Sequence, residues 1–365
     1  LYTRSKKRGS VERILKILVN HGAVEDIMID THPHIGTNKL PKIIARMREN
    51  ILSHGGEIHF GCRVENVIIK ESKIKGVVDQ NGNKILGHSV ILATGHSARD
   101  IFYLLKQHNI KIEAKPFALG VRIEHPQTII DKAQYHCNVR SKYLPAASYK
   151  FVQQVNGKGV FSFCMCPGGH IVPSATEPGE VVVNGMSASS RSSRYANSGM
   201  VIAIEQEDLI KYAKYGELAG LIFQQEMEKM AWEAGGKTQA APAQRMVDFT
   251  NGKLSNTLND CSYIPGINSA PLHELLPSMI SNRLQEGFKI FGRKMKGYFT
   301  NEANILGVES RTSSPVRIPR DEVLLSHPQI NNLYPCGEGA GYAGGIVSAA
   351  IDGERCADAI KKSLA

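Results

Sequence analysis

The chain has 365 residues, with 44 lysines and arginines against 34 acids for a net charge of +10, and it is 42% hydrophobic and 21% charged. That length predicts more than one core, and no apolar stretch reaches the roughly 20 residues needed to cross a bilayer, which excludes a membrane-spanning helix. The basic residues are spread along the chain except between Arg4 and Arg8 and do not interleave with aromatics, so nucleic-acid binding is not expected; an anionic cofactor or substrate accounts for the charge. Ser10 is placed to cap a first helix in which Val11, Ile14, Leu15 and Leu18 recur at helical spacing, with Gly22 as its stop. A second helix starts near Pro41, carries Leu40, Ile43, Ile44, Met47 and Ile51 on one face, and ends at His54-Gly55-Gly56. Strand-like runs follow at 58–60, 64–70, 73–79 and 84–86, with an Asn81-Gly82 turn, and then a continuous apolar strand at 90–93.

From Lys115 the chain reads as a second domain of short strands and loops broken at Pro167-Gly168, Pro178-Gly179 and Pro265-Gly266, with helices expected at 202–215 and 218–234. After Ile305-Leu306-Gly307 it returns to a strand, a Gly-rich turn and a C-terminal helix between residues 333 and 360. The start at Leu1, with no Met and no apolar core behind its positive charges, is not a secretory leader and reads as an internal start. Seven cysteines, an odd and scattered number, argue against a disulfide framework and for a reducing, cytoplasmic setting.

Gly339-Ala340-Gly341-Tyr342-Ala343-Gly344 fits the G-x-G-x-x-G spacing of a dinucleotide-binding turn, after a strand-like Leu333-Tyr334-Pro335-Cys336 and before a helix from Gly345. Such a turn normally opens a βαβ unit, and here only one helix follows. The glycines therefore either pack a loop against a sheet begun elsewhere or let backbone approach a ligand, with a helix N-terminus aimed at its negative charge.

Three passages resemble flavoproteins of the two-dinucleotide-binding type: Val90-Ile91-Leu92-Ala93-Thr94-Gly95 after the meander, the stretch from Tyr334 to Asp352, and the region between. More narrowly the chain resembles the uncharacterised bacterial FAD-dependent dehydrogenase (FAD-dependent oxidoreductase) family. The supporting stretches run from Phe117 to Gln127, Phe163 to Gly169, Asn184 to Ser187, Ala241 to Arg245 and Glu309 to Arg317. The resemblance implies an α/β fold in which an incomplete Rossmann-like FAD-binding domain (residues 1–114 and 309–365) carries an inserted α+β substrate domain (115–308). It also implies an upstream strand and G-x-G-x-x-G turn that would precede Leu1. FAD is the cofactor implied, Glu338 standing where relatives carry Asp to meet the ribityl chain, and Val64 lying near the adenine.

The expected cofactor-binding residues are Val64, Thr94, Gly95, Gly337, Glu338, Gly344, Gly345 and Ile346, Thr94 and Gly95 because ligands bind at the carboxyl ends of strands in open α/β sheets. Cys164 and Cys166, one residue apart beside a Pro-Gly-Gly turn, are candidates for redox partners, for a nucleophile with its resolver, or for two small buried hydrophobes; no second ligand pair supports a metal. Arg122, Glu124 and His125 put polar groups on both faces of one strand, so at least one should meet a polar cleft or pair internally, and His125 is a candidate proton donor. Arg311 and Arg317 are candidates for anion contacts. The function implied is hydride transfer between flavin and an organic substrate held between the two domains, with a nicotinamide as a transient donor. The rivals are a tRNA-modifying flavoprotein and a truncated, non-catalytic fragment.

Overall fold

Ser10 accepts a hydrogen bond from the Arg13 N–H and so caps the helix Val11–Asn20, whose buried side Ile14, Leu15 and Leu18 is the stripe its spacing predicts. The computed structural model describes residues 1, 3 and 9–364, so the basic run from Arg4 to Arg8 lies outside the described residues. The chain divides into two units: Leu1–Lys115, Ala213–Leu221 and Ser313–Ala365 make one, Pro116–Tyr212 and Ile222–Thr312 the other. It is a mixed α/β protein whose largest sheet has seven strands. Among the described residues no helix is long and apolar enough to cross a membrane.

In the first unit, Ile14, Leu15, Leu18, Ile27 and Ile43 pack with Val347 and Ile351 of the C-terminal helix Ile346–Leu364, joining the two ends of the chain in one core. Burying side chains of this size stabilises by roughly 1.5–3 kcal/mol each. The meander Val64–Lys70, Lys73–Asp79 and Lys84–Leu86 forms as an antiparallel sheet. Its turn is fixed by Asp79, which accepts from the N–H groups of Asn81 and Asn83 and from the Asn83 amide. The strand expected at 58–60 is absent: these residues have no ladder partner, and Phe60 is 77% exposed. Val90–Leu92 instead pairs parallel with Leu333–Pro335, residues more than two hundred positions away.

In the second unit the sheet order is Ile267–Ser269, Ala241–Arg245, Asn304–Glu309, Phe117–Pro126, Tyr195–Ile204, Lys158–Cys166 and Val152–Val155. Two of these strands have ten residues and are buried almost end to end, longer than the short strands expected. The helix expected at 202–215 is also corrected. Residues 200–204 are apolar and mostly β-branched or small, and they pair with Phe117–Pro126 on one side and Lys158–Cys166 on the other; a 3₁₀ stretch, Gln206–Leu218, follows. Two flanking strands override the local helical spacing. The helix expected at 218–234 forms as Ala219–Ala234.

The helix Ser278–Lys294 covers one face of this sheet with Ile280, Leu284, Phe288 and Phe291. Phe151 stacks on Phe291 at 4.7 Å, and Tyr149 and Tyr298 close the aromatic cluster. Because side chains alternate along Phe117–Pro126, Leu119, Val121, Ile123 and His125 share one face while Arg122 and Glu124 share the other.

Candidate functional site

The parallel pair brings two loops to one edge of the first unit. Val90 aligns with Leu333 and Leu92 with Pro335, and the Cys336 N–H continues the ladder by donating to the Leu92 carbonyl at 3.0 Å. Thr94-Gly95 and Gly337-Glu338 therefore leave adjacent strands at their carboxyl ends. The two turns touch: a Cβ on Gly339 would stand 2.3 Å from the Gly95 carbonyl oxygen, so only glycine fits. His96 Nδ1 lies 3.4 Å from Glu338 Oε1 across this junction.

Beneath the turn sits a buried ion pair. Asp352 accepts from Arg320 at 2.6 and 3.0 Å and from the Gly337 N–H at 2.8 Å, while Arg320 also donates to the Pro335 carbonyl. Burial pushes the Asp352 carboxyl up, but the bonds from Arg320 and Gly337 outweigh it and hold it below its ordinary value. The Arg320 guanidinium stacks over the Tyr342 ring at 3.8 Å, with Arg317 at 5.4 Å from the same ring. Asp352 is thus a main-chain anchor that fixes where Gly337 turns, a role with no local sequence signal.

The residues of this edge fit a flavin. Gly95, Gly337, Gly344 and Gly345 each face open space where a side chain would project, Thr94 is exposed, and Ile346 is 49% exposed at the first turn of a 19-residue helix. A ligand with an apolar ring and a delocalised negative charge suits such an edge. Two cations reinforce the match. Lys115 is held below its ordinary value by burial and by the charge of Arg317, and the buried Arg317 Nε has no hydrogen-bond partner among the described residues. Both side chains lie against Gly341. Of the expected cofactor residues, Thr94, Gly95, Gly337, Glu338, Gly344, Gly345 and Ile346 share this parallel-pair edge and the helix that follows it. Val64 opens the meander opposite Asp79, in a separate sheet.

The second unit holds the expected catalytic candidates. Arg122 is wholly buried and gathers four of the sequence stretches named above. It pairs with Glu309 at 2.7 Å and donates to Asn197 Oδ1 at 2.7 Å, to the Cys164 carbonyl at 3.3 Å and to Asn184 Oδ1 at 3.4 Å. Opposite Asn197 and Gly199 the ladder slips between Cys166 and Phe163, a bulge that puts Cys164 in the left-handed region at φ +43 and leaves it exposed. Cys166 donates to the Cys164 carbonyl at 3.3 Å, and burial pushes its thiol up against the pull of Arg122. The two residues therefore differ: Cys164 is exposed and Cys166 is half-buried.

His125 is wholly buried on the opposite face, its Nε2 donating to the Tyr298 carbonyl at 2.8 Å and its ring 4.7 Å from that of Tyr298. Burial pushes it down to about 4, so it is neutral at physiological pH. Arg311 binds Glu180 and Glu228, each at 2.9 Å, and Thr176 at 2.6 Å, an internal network of the second unit.

Residues 116–312, the span that holds the Arg122 network, match the family model described as FAD-dependent protein, C-terminal domain-like. The chain belongs to that family. FAD is the cofactor of this FAD-dependent protein. An uncharacterised protein of Clostridium beijerinckii is 40% identical over 351 residues, which are 95% of this chain and 65% of that protein, so the chain spans about two thirds of the relative it matches. Among solved structures, CtdE in complex with FAD is 11% identical with a TM-score of 0.34, covering 89% of this chain and 60% of that one. An oxidoreductase from Methanosarcina mazei is 12% identical with a TM-score of 0.33, covering 89% and 54%. Both likenesses are too remote to bear on the fold of this FAD-dependent protein.

Proposed function

We propose that this protein is a flavoprotein oxidoreductase of the dehydrogenase kind, in which FAD exchanges a hydride with a small organic substrate. The observation that carries the reading is the edge where four glycines face open space at the ends of the paired strands and beside a long helix. Bound there, FAD would supply two-electron chemistry. Backbone at Gly95, Gly337, Gly344 and Gly345 would approach the cofactor closely, and the first N–H groups of Ile346–Leu364 would favour negative charge on its ring. Glu338 would accept from a ribityl hydroxyl, its carboxylate oriented by His96. Thr94 would border the same ligand and Val64 its adenine end. The finer assignment, to bacterial FAD-dependent dehydrogenases built on an incomplete Rossmann-like unit with an inserted substrate domain and a transient nicotinamide donor, follows from the same reading.

The substrate-side candidates are Cys164 and Cys166. Cys164 can meet a solvent-borne molecule, and the half-buried Cys166 hydrogen-bonds its carbonyl. His125 would serve as a proton donor only if the aromatic cluster around it opened, because among the described residues its ring hydrogen-bonds only the Tyr298 carbonyl.

An ultraviolet-visible spectrum of the purified chain, incubated with FAD and passed through gel filtration, tests the proposal. Flavin absorbance should stay with the protein and be lost in Gly345→Val, whose side chain would enter the open space at an otherwise unstrained position. Absence of retained flavin in a folded wild-type chain, or equal retention by the variant, would count against this edge as the cradle.

A further inference from the structure

In the first unit Arg317 is left without an acid. It stands on the strand Val316–Arg317, which pairs antiparallel with Glu113–Ala114, a ladder separate from the parallel pair of the glycine-lined edge. The acids around it are engaged elsewhere. Glu113, directly opposite Arg317 in the ladder, lies 3.4 Å from Lys111; Asp352 binds Arg320; Glu338 lies 3.4 Å from His96. Among the described residues the half-buried Arg317 side chain has no hydrogen-bond or ion-pair partner, and its guanidinium carbon lies 5.4 Å from the Tyr342 ring. Arg320 gives the contrast: on the same ring at 3.8 Å, it is matched by Asp352 and the Pro335 carbonyl.

A second cation is held beside Arg317. A Cβ added to Gly341 would stand 3.1 Å from Lys115 Cδ and 3.4 Å from Arg317 Cβ, so both side chains run past the same glycine. Burial first, and the Arg317 charge second, hold the half-buried Lys115 below its ordinary value against the pull of Glu338. Two like charges kept together partly out of water repel each other, and an anion lodged beside them removes that cost.

We propose that Arg317 and Lys115 bind the carboxylate of a small organic substrate. The planar guanidinium can take both carboxylate oxygens side by side, and the ammonium adds a point charge. Glu338 already offsets one of the two positive charges, so a monoanion balances the site, whereas a phosphate dianion would overcharge it. The anion site rests on these residues alone; that its occupant is the substrate rests on the flavin reading above.

Isothermal titration of the full chain, incubated with FAD, with sodium benzoate and with benzamide as the uncharged counterpart tests the proposal. Benzoate should bind saturably with one site per chain, and benzamide should give no binding heat. Arg317→Gln should weaken benzoate about tenfold to a hundredfold, and Arg317→Lys, which keeps the charge but not the fork, should fall between the two. No saturable benzoate binding up to about 10 mM, equal affinity in an Arg317→Gln chain whose circular dichroism matches wild type, or displacement of benzoate by equimolar inorganic phosphate at matched ionic strength would each overturn the assignment. The flavin spectrum after gel filtration separates the two readings. Benzoate binding that depends on Arg317 in a chain that keeps no flavin would support the anion site and count against the cradle. Loss of flavin from Arg317→Gln would give the guanidinium to the cofactor's own charge and overturn the carboxylate assignment.

Discussion

Arg122 and Asp352 show how single buried charges organise each unit. Arg122 ties the strands of the large sheet, a bulge and the strand Val183–Met186 to one guanidinium, so the family-like stretches, far apart in sequence, meet around a single side chain. Asp352 does the same for the turn at Gly337. Its carboxyl is held below its ordinary value, so the stability it contributes is fully present above the unfolded value of about 3.9 and is lost as pH falls through the lower folded value. Asp352→Asn should therefore lower the urea midpoint at pH 7, by the equivalent of roughly 3 kcal/mol because Arg320 loses its buried partner, and the difference from wild type should shrink at pH 3. A difference of equal size at both pH values would rule out the ion pair as its source.

At the scale of elements, the short parallel pair decides where the glycine-lined edge lies. Val90–Leu92 is three residues long, as is Leu333–Pro335, and neither specifies its partner by length or pattern. What fixes them is the core joining the helices Val11–Asn20 and Ile346–Leu364, and the contact between Gly339 and Gly95. Gly339→Ala would force a side chain against a backbone oxygen that cannot move aside as a flexible side chain can. It should cost about 1–3 kcal/mol and loosen retained flavin, read by urea denaturation and by the spectrum after gel filtration. An unchanged midpoint would mean that the two turns part without penalty. The element expectations failed where tertiary pairing outweighed local pattern: the spacing at 202–215 suited a helix, yet residues 202–204 end a central strand between two partners and a 3₁₀ stretch follows, while 58–60 found no partner.

At the scale of the whole molecule, the charge of +10 allows a nucleic-acid reading that the distribution of cations does not favour. Many basic groups are already paired with acids, Arg122 with Glu309, Arg311 with Glu180 and Glu228, Lys158 with Asp208 and Arg320 with Asp352. A gel shift with transfer RNA should show weak association at 50 mM salt that falls at least a hundredfold by 200 mM, without a saturable complex. A complex that persists at 200 mM salt would restore the tRNA-modifying reading.

The capped first helix, the meander with its Asn81-Gly82 turn, the helix Ala219–Ala234 and the Gly-rich turn before the last helix were legible in the sequence because each rests on a period, a cap or a turn residue acting over a few positions. The Arg122–Glu309 pair, the Arg320–Asp352 anchor and the bulge that exposes Cys164 while Cys166 stays half-buried were settled only by the tertiary structure. A charged residue in a sequence does not carry the address of its partner. Long-range pairing and the high cost of leaving a buried charge or hydroxyl unmatched select those partners, and that selection happens only once the chain has folded.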